Sequence, residues 1–150
     1  MRRKASDNVY LHKDFHGALS AAIEYLHRRY GPQAVRDYLR QFARSYYAPL
    51  RDDIRTRGLV ALKEHFEDLY RREGVTPQVF LSEDELLVKV ESCPAVTHMR
   101  ARGYAVAELF HETTKGVNEA LCEGSPFCAE LVEYEPQTGR AVIRFRRKSR

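Results

Sequence analysis

Cysteine is scarce in this 150-residue chain: there are three, at positions 93, 122 and 128, with no regular framework. So few thiols exclude a small secreted fold stapled by disulfides and point to a reducing, cytoplasmic setting. Long apolar runs are also missing, and no stretch approaches the roughly 20 residues that a membrane span requires. The first residues, Met1 to Ser6, are basic but lead into no apolar segment, so a secretory signal is not expected. Equally absent are a glycine-rich phosphate loop, a nucleophile-elbow Gly-x-Ser-x-Gly, a dinucleotide fingerprint, internal repeats and low-complexity tracts.

What is present reads as an ordinary globular domain, 43% hydrophobic and 31% charged. The length suffices for one domain with a substantial core. The net charge of +4 is concentrated at the ends: Arg2, Arg3 and Lys4, with the run Arg144 to Arg150, hold eight of the 25 Lys and Arg residues. Solvated, flexible basic ends (residues 1–9 and 148–150) account for this excess. Without a helix-turn-helix, zinc-finger or RNP-type signature, a nucleic-acid partner is not expected, nor is a membrane.

Apolar periodicity divides the chain. Over 10–30 a helical stripe runs through Phe15, Leu19, Ile23, Leu26 and Tyr30. Gly31-Pro32 starts a second helix, with Val35, Leu39, Phe42 and Tyr46. From about Arg51 a third follows, kinked at Gly58 and ended by Gly74. This helical part, 10–74, gives way to an α+β part over 78–147. Strands are expected at 78–81 and 85–91, helices at 94–102 and 104–122, and a final hairpin at 128–135 and 140–147, with Glu133 and Glu135 facing Arg144 and Arg146. The expected fold is therefore a two-layer α+β single domain: N-terminal helices, then β-β-α-α-β-β on an antiparallel sheet.

Three groups of side chains carry chemistry. Cys93 precedes Pro94 where a strand meets a helix. Proline suits the first helical position, which makes Cys93 the N-cap, its sulfur beside unpaired amides and the positive dipole end. Such placement favours thiolate, the form that attacks electrophiles and binds metals. Zinc takes sets of three cysteines and one histidine, so Cys93, Cys122, Cys128 and His98 form a candidate metal set, with His111 as another possible fourth ligand. His12 and His16, four apart, share the face of Phe15, Leu19 and Ile23, whereas Asp14 points away. Finally, His111, Thr114, Asn118 and Cys122 recur at spacings of three and four, a row able to present polar anchors inside an apolar pocket.

Ser92-Cys93-Pro94 and the segment Cys122-Glu123-Gly124-Ser125-Pro126-Phe127-Cys128 also carry a family likeness. The chain resembles the bacterial 4-vinyl-reductase-type ligand-binding domains, whose fold is shared by subunits of eukaryotic vesicle-tethering complexes. Its C-terminal half is similar to the L-2-amino-thiazoline-4-carboxylic acid hydrolase-like family. Gly124 and Cys128 fit the vinyl-reductase-type pattern. Ser125 stands where Asp is usual, and the upstream cysteine is displaced, with Ala120 nearer its expected place. The resemblance spans roughly 78–147.

It implies a pocket for a small organic ligand between helices and sheet, and a homodimer. On that reading His12, His16, Cys93, His111, Asn118 and Cys122 hold the ligand. The alternative it implies is hydrolysis of a small cyclic amide-like or thiazoline substrate. There Cys93 serves as nucleophile or metal ligand, and His111 or His16 as general base. A third class is an assembly protein that uses its first helix and its aromatic surface to dimerise or recruit a partner.

Overall fold

The computed structural model describes residues 13–149. Ten elements follow in the order α1 (Asp14–Tyr30), α2 (Pro32–Tyr46), α3 (Ala48–Arg57), α4 (Leu59–Arg72), β1 (Gln78–Leu81), β2 (Glu85–Val90), α5 (Pro94–Ala101), α6 (Glu112–Cys122), β3 (Phe127–Glu135) and β4 (Arg140–Arg147). The expected α+β architecture is present, with helices first and a four-stranded antiparallel sheet ordered β1-β2-β4-β3.

The sheet has one buried face because β2 and β4 alternate in phase. Leu86 pairs with Phe145, Val88 with Ile143 and Val90 with Ala141, and all six are buried. Fully burying a Leu, Ile or Phe contributes about 1.5–3 kcal/mol each, so this register is strongly specified: a one-residue slip would turn the whole set outward. The helices cover this face in two groups. One core gathers Ile54, Leu62 and Phe66 of α3 and α4 with the sheet and the end of α6. The other gathers Ile23, Val35, Leu39, Val96 and Met99 of α1, α2 and α5 with Val117 and Ala120 of α6. Tyr47 packs against both, and α6 runs from one to the other.

Three local expectations are corrected. Residues 51–74 form no single kinked helix. Gly58, at φ +72°, separates α3 from α4, and Pro49 sits in the first turn of α3 rather than interrupting a longer element. The helix expected over 104–122 is only its last eleven residues. Gly103, also left-handed, ends α5, and 104–111 runs as extended chain and turns, although Ala107 and Phe110 still point into the core. In the final hairpin, an irregularity between Leu131 and Glu133 shifts the register, so Glu130, not Glu133 or Glu135, lies opposite Arg144, at 3.7 Å.

The β3–β4 turn is fastened to the strand–helix corner. The Cys93 amide donates to the Thr138 carbonyl at 2.8 Å, and Arg100 donates to the Gln137 and Pro136 carbonyls at 2.9 and 3.2 Å. The Glu135 carboxylate accepts from the amides of Gln137 and Thr138 and from the Thr138 hydroxyl. Gly139 then approaches so closely that a Cβ there would stand 2.3 Å from Cys93 Cβ and 3.1 Å from Val96 Cγ2, on a backbone at φ +69°. Gly139→Ala should therefore cost about 2–4 kcal/mol through overpacking and left-handed strain. Denaturant unfolding checks this, and a loss below about 1 kcal/mol would show that the turn lifts away freely.

Candidate functional site

Cys93 is the N-cap of α5 as the sequence implies, with extended dihedrals (φ −88°, ψ 122°) and Pro94 in the first turn. Its expected thiolate character is not found. Burial pushes the thiol above its ordinary value, and the amides of Val96 and Ala95, which favour the charged form, do not offset it; Glu73 adds to the rise. The sulfur makes no side-chain capping hydrogen bond. Its electrostatic neighbours are two phenols: Tyr70, pushed up by burial and then by Cys93, and Tyr134, pushed up to about 12 for the same two reasons.

His111 lies across Tyr134 from this corner. It occupies the N-cap position of α6, its ring 5.8 Å from the Tyr134 ring and its Nε2 3.8 Å from Glu112 Oε1. No hydrogen bond joins Cys93 to His111 among the described residues. Further along α6, Asn118 is 6% exposed. Cys122 is buried in the other core, its thiol pushed up to about 12 by burial and the nearby Cys128. The Cys128 thiol donates to the Arg146 carbonyl at 3.6 Å.

The histidines of α1 and α5 meet at a different place. His12 lies outside the described residues. Burial lowers the pKa of His16, and His98 lowers it further. His98 Nε2 stands 3.2 Å from Asp14 Oδ1, and the Tyr104 hydroxyl donates to the same oxygen at 3.4 Å. The His98 contact holds the Asp14 carboxyl below the usual carboxylate range. Asp14 does point away from the stripe of α1, as expected, but toward partners that periodicity alone does not reveal.

The four proposed zinc ligands do not assemble. Cys93 packs with one core and Cys122 with the other, Cys128 reaches a strand carbonyl and His98 pairs with Asp14. Among the described residues, no three His, Cys, Asp or Glu side chains are placed to hold a metal ion.

An open groove of about 1270 Å³ lies instead between α1 and the segment 103–108. Asp14, Gly17, Ala18 and Ala21 form one wall, continued by Tyr25 and Arg28, and Tyr104 to Glu108 form the other. Asp14 and Arg28 are fourteen residues apart on one helix, so the groove extends for roughly 21 Å. Two devices hold its walls. Ser20, 1% exposed, accepts from the Ala107 amide at 2.8 Å and donates to the Ala105 carbonyl at 3.0 Å. Gly17 lets the Tyr104 ring lie on the helix, where a Cβ would stand 3.0 Å from the ring.

None of Cys93, His16, His111, Asn118 and Cys122 lines this groove. The sequence did signal it faintly: a serine inside an apolar stripe needs a buried partner, and a glycine inside a helix costs about 0.5–1 kcal/mol relative to alanine unless something requires it.

No family model and no curated protein matches the chain. What the structure defines is the class: an α+β domain with helices on one face of an antiparallel sheet. No helix of the described residues is long and apolar enough to cross a membrane.

At neutral pH, iodoacetamide should label Cys93 more slowly than free cysteine, and its rate should still be climbing above pH 9, where that of an ordinary thiol levels off. The sign for stability follows. Cys93 and Cys122 keep their protons in the folded chain where the unfolded chain would lose them. Their contribution is full below pH 9 and is lost as pH rises further. Fast labelling of Cys93 at pH 7 would contradict the neutral thiol.

Proposed function

We propose that this protein is a small-molecule-binding domain whose ligand lies in the groove between α1 and residues 103–108. The observation that carries this reading is the groove's construction. Small residues line its length, Tyr25 and Tyr104 stand exposed within it, and the Asp14 carboxylate is held at one end by His98 and Tyr104. A concavity walled by small and aromatic residues with a fixed carboxylate at one end is a common form of ligand site, and Glu24, Arg28, Arg29 and Glu108 add charge along its rim. The family likeness of residues 78–147 supports the same class, although it places the ligand between helices and sheet.

Hydrolysis through Cys93 fits less well. It needs a thiolate with a base in hydrogen-bond reach. Here burial pushes the thiol above its ordinary value, and no hydrogen bond joins it to His111 among the described residues.

Filling the groove tests the binding reading. Ala21 is exposed, so Ala21→Trp should leave the fold intact while removing ligand volume. Native mass spectrometry of freshly purified protein should show a bound small molecule on the wild type and none on Ala21→Trp, with melting temperatures within about 2 °C in ligand-free samples. Equal retention by both proteins would place the ligand elsewhere.

A homodimer finds its support on α2. Tyr38, Phe42 and Tyr46 lie at successive spacings of four, all exposed, with the Phe42 and Tyr46 rings stacked at 5.2 Å. Exposed aromatics in a row are typical interface anchors. Sedimentation equilibrium should return twice the 17.4 kDa chain mass, falling to one for Phe42→Glu. A monomer at every concentration would reject the dimer.

A further inference from the structure

Three guanidinium groups converge on one residue, Glu123, just beyond the end of α6. Arg44 Nε lies 2.7 Å from Glu123 Oε2, and Arg40 Nε lies 3.5 Å from Glu123 Oε1. Arg51 of α3 donates to the Glu123 carbonyl at 3.3 Å. The next acid, Glu119, is 4.0 Å from Arg40 but 2.7 Å from Lys115, which neutralises it. Glu123 thus balances one of three positive charges, and all three arginines hold its carboxyl below the usual range. The Nε of Arg51 is buried without a hydrogen-bond acceptor, and that of Arg40, also buried, has only its 3.5 Å ion-pair contact with Glu123. A buried donor left unpaired is costly, and its persistence calls for an explanation.

The negative end of α6 explains part of this cluster, since cations favour a helix C-terminus. It does not explain all of it. Only Arg51 reaches a carbonyl there, whereas Arg40 and Arg44 meet side chains alone and remain 38% and 51% exposed. The surplus is therefore two positive charges on a face open to solvent.

We propose that Arg40, Arg44 and Arg51 form a second binding site, which takes the phosphate group of a small phosphorylated ligand. Phosphate suits the surplus in charge, because its dianion neutralises two guanidinium groups where a carboxylate neutralises one. It suits the geometry as well, because the planar fork of arginine matches pairs of phosphate oxygens. None of the three arginines lines the groove beside α1, so this site and the groove stand or fall separately.

Calorimetric titration with pyrophosphate, against sodium chloride at matched ionic strength, tests the site. Wild-type protein should bind pyrophosphate. Arg44→Gln should weaken binding about tenfold. Glu123→Gln, which removes the internal competitor, should tighten it. Circular dichroism confirms that both variants are folded before titration, and Arg40→Gln replaces Arg44→Gln if the latter does not fold. A pyrophosphate signal no larger than the chloride control, or equal binding by wild type and the arginine variant, overturns the proposal. A single-stranded oligonucleotide that binds more tightly than pyrophosphate, with a steep salt dependence, overturns the assignment to a small ligand, because the cluster then serves a nucleic-acid backbone.

Discussion

The seating of α2 along α6 is the constraint from which most of the architecture follows. Glu112, the first residue of α6, is 2% exposed, and a carboxylate so buried needs a charged partner. Arg36 provides it at 3.0 Å. From there the two helices run in the same direction, Arg40 opposite Glu119 and Arg44 opposite Glu123, so position along one fixes position along the other. Exposed pairs of this kind contribute little energy each. Their role is register: Val35, Leu39 and Ala43 of α2 meet Val117 and Ala120 of α6 only when the charged ladder is also in step. Because α6 also enters the second core through Leu121 and Cys122, the ladder holds both halves of the helical layer over the sheet.

This seating also explains where α6 begins. A helix continuing back through Tyr104 would make 104–111 a regular helical lead-in to Glu112. Instead the chain leaves α5 at Gly103 and follows α1, its backbone satisfied partly by the Ser20 hydroxyl. Buried amides and carbonyls outside regular structure require such partners. The groove is a by-product of that detour: an extended segment beside a helix whose facing residues are Gly17, Ala18 and Ala21 leaves space that two packed helices would fill. The Cys93 corner is the opposite case, where the turn at Gly139 closes the space above the sulfur.

The sequence made some of this legible and hid the rest for definite reasons. Strict alternation in 85–90 and 140–147 fixed two strands and their inward faces, since period two has one interpretation. Proline after glycine at 31–32 and glycine at 103 marked real ends. The apolar spacing of Val106, Leu109 and Phe110 misled, because core contacts at intervals of three to four arise in a turn-rich segment as readily as in a helix. The hairpin pairing was misread for another reason: the irregularity near Val132 adds one residue to a strand and leaves no mark in composition. Of the proposed site residues, Cys93 caps α5 at the backbone position expected, whereas His111 caps α6 and Asn118 and Cys122 lie buried within it. The Asp14–His98–Tyr104 contact joins residues more than eighty positions apart, which no local pattern can report.

The failed expectation at Cys93 shows how magnitudes decide such cases. A helix N-terminus stabilises a negative charge by about 0.3–1 kcal/mol, up to about 2 in favourable, partly buried geometry. One unit of pKa corresponds to about 1.4 kcal/mol, so capping alone lowers a thiol by roughly one and a half units at most. Burial acts with a longer reach, up to about 3–5 units for a group fully removed from water. Reactive cysteines at helix starts therefore need access to solvent or a cation as well as the cap. Cys93 is only partly exposed, with the phenols of Tyr70 and Tyr134 and the negative charge of Glu73 nearby, and the hairpin turn packs against it. What the cap supplies in this fold is shape. A small side chain with extended dihedrals ends the strand, starts the helix and leaves room for Gly139. The same corner with a larger residue would push the β3–β4 turn, and with it the end of the sheet, away from α5.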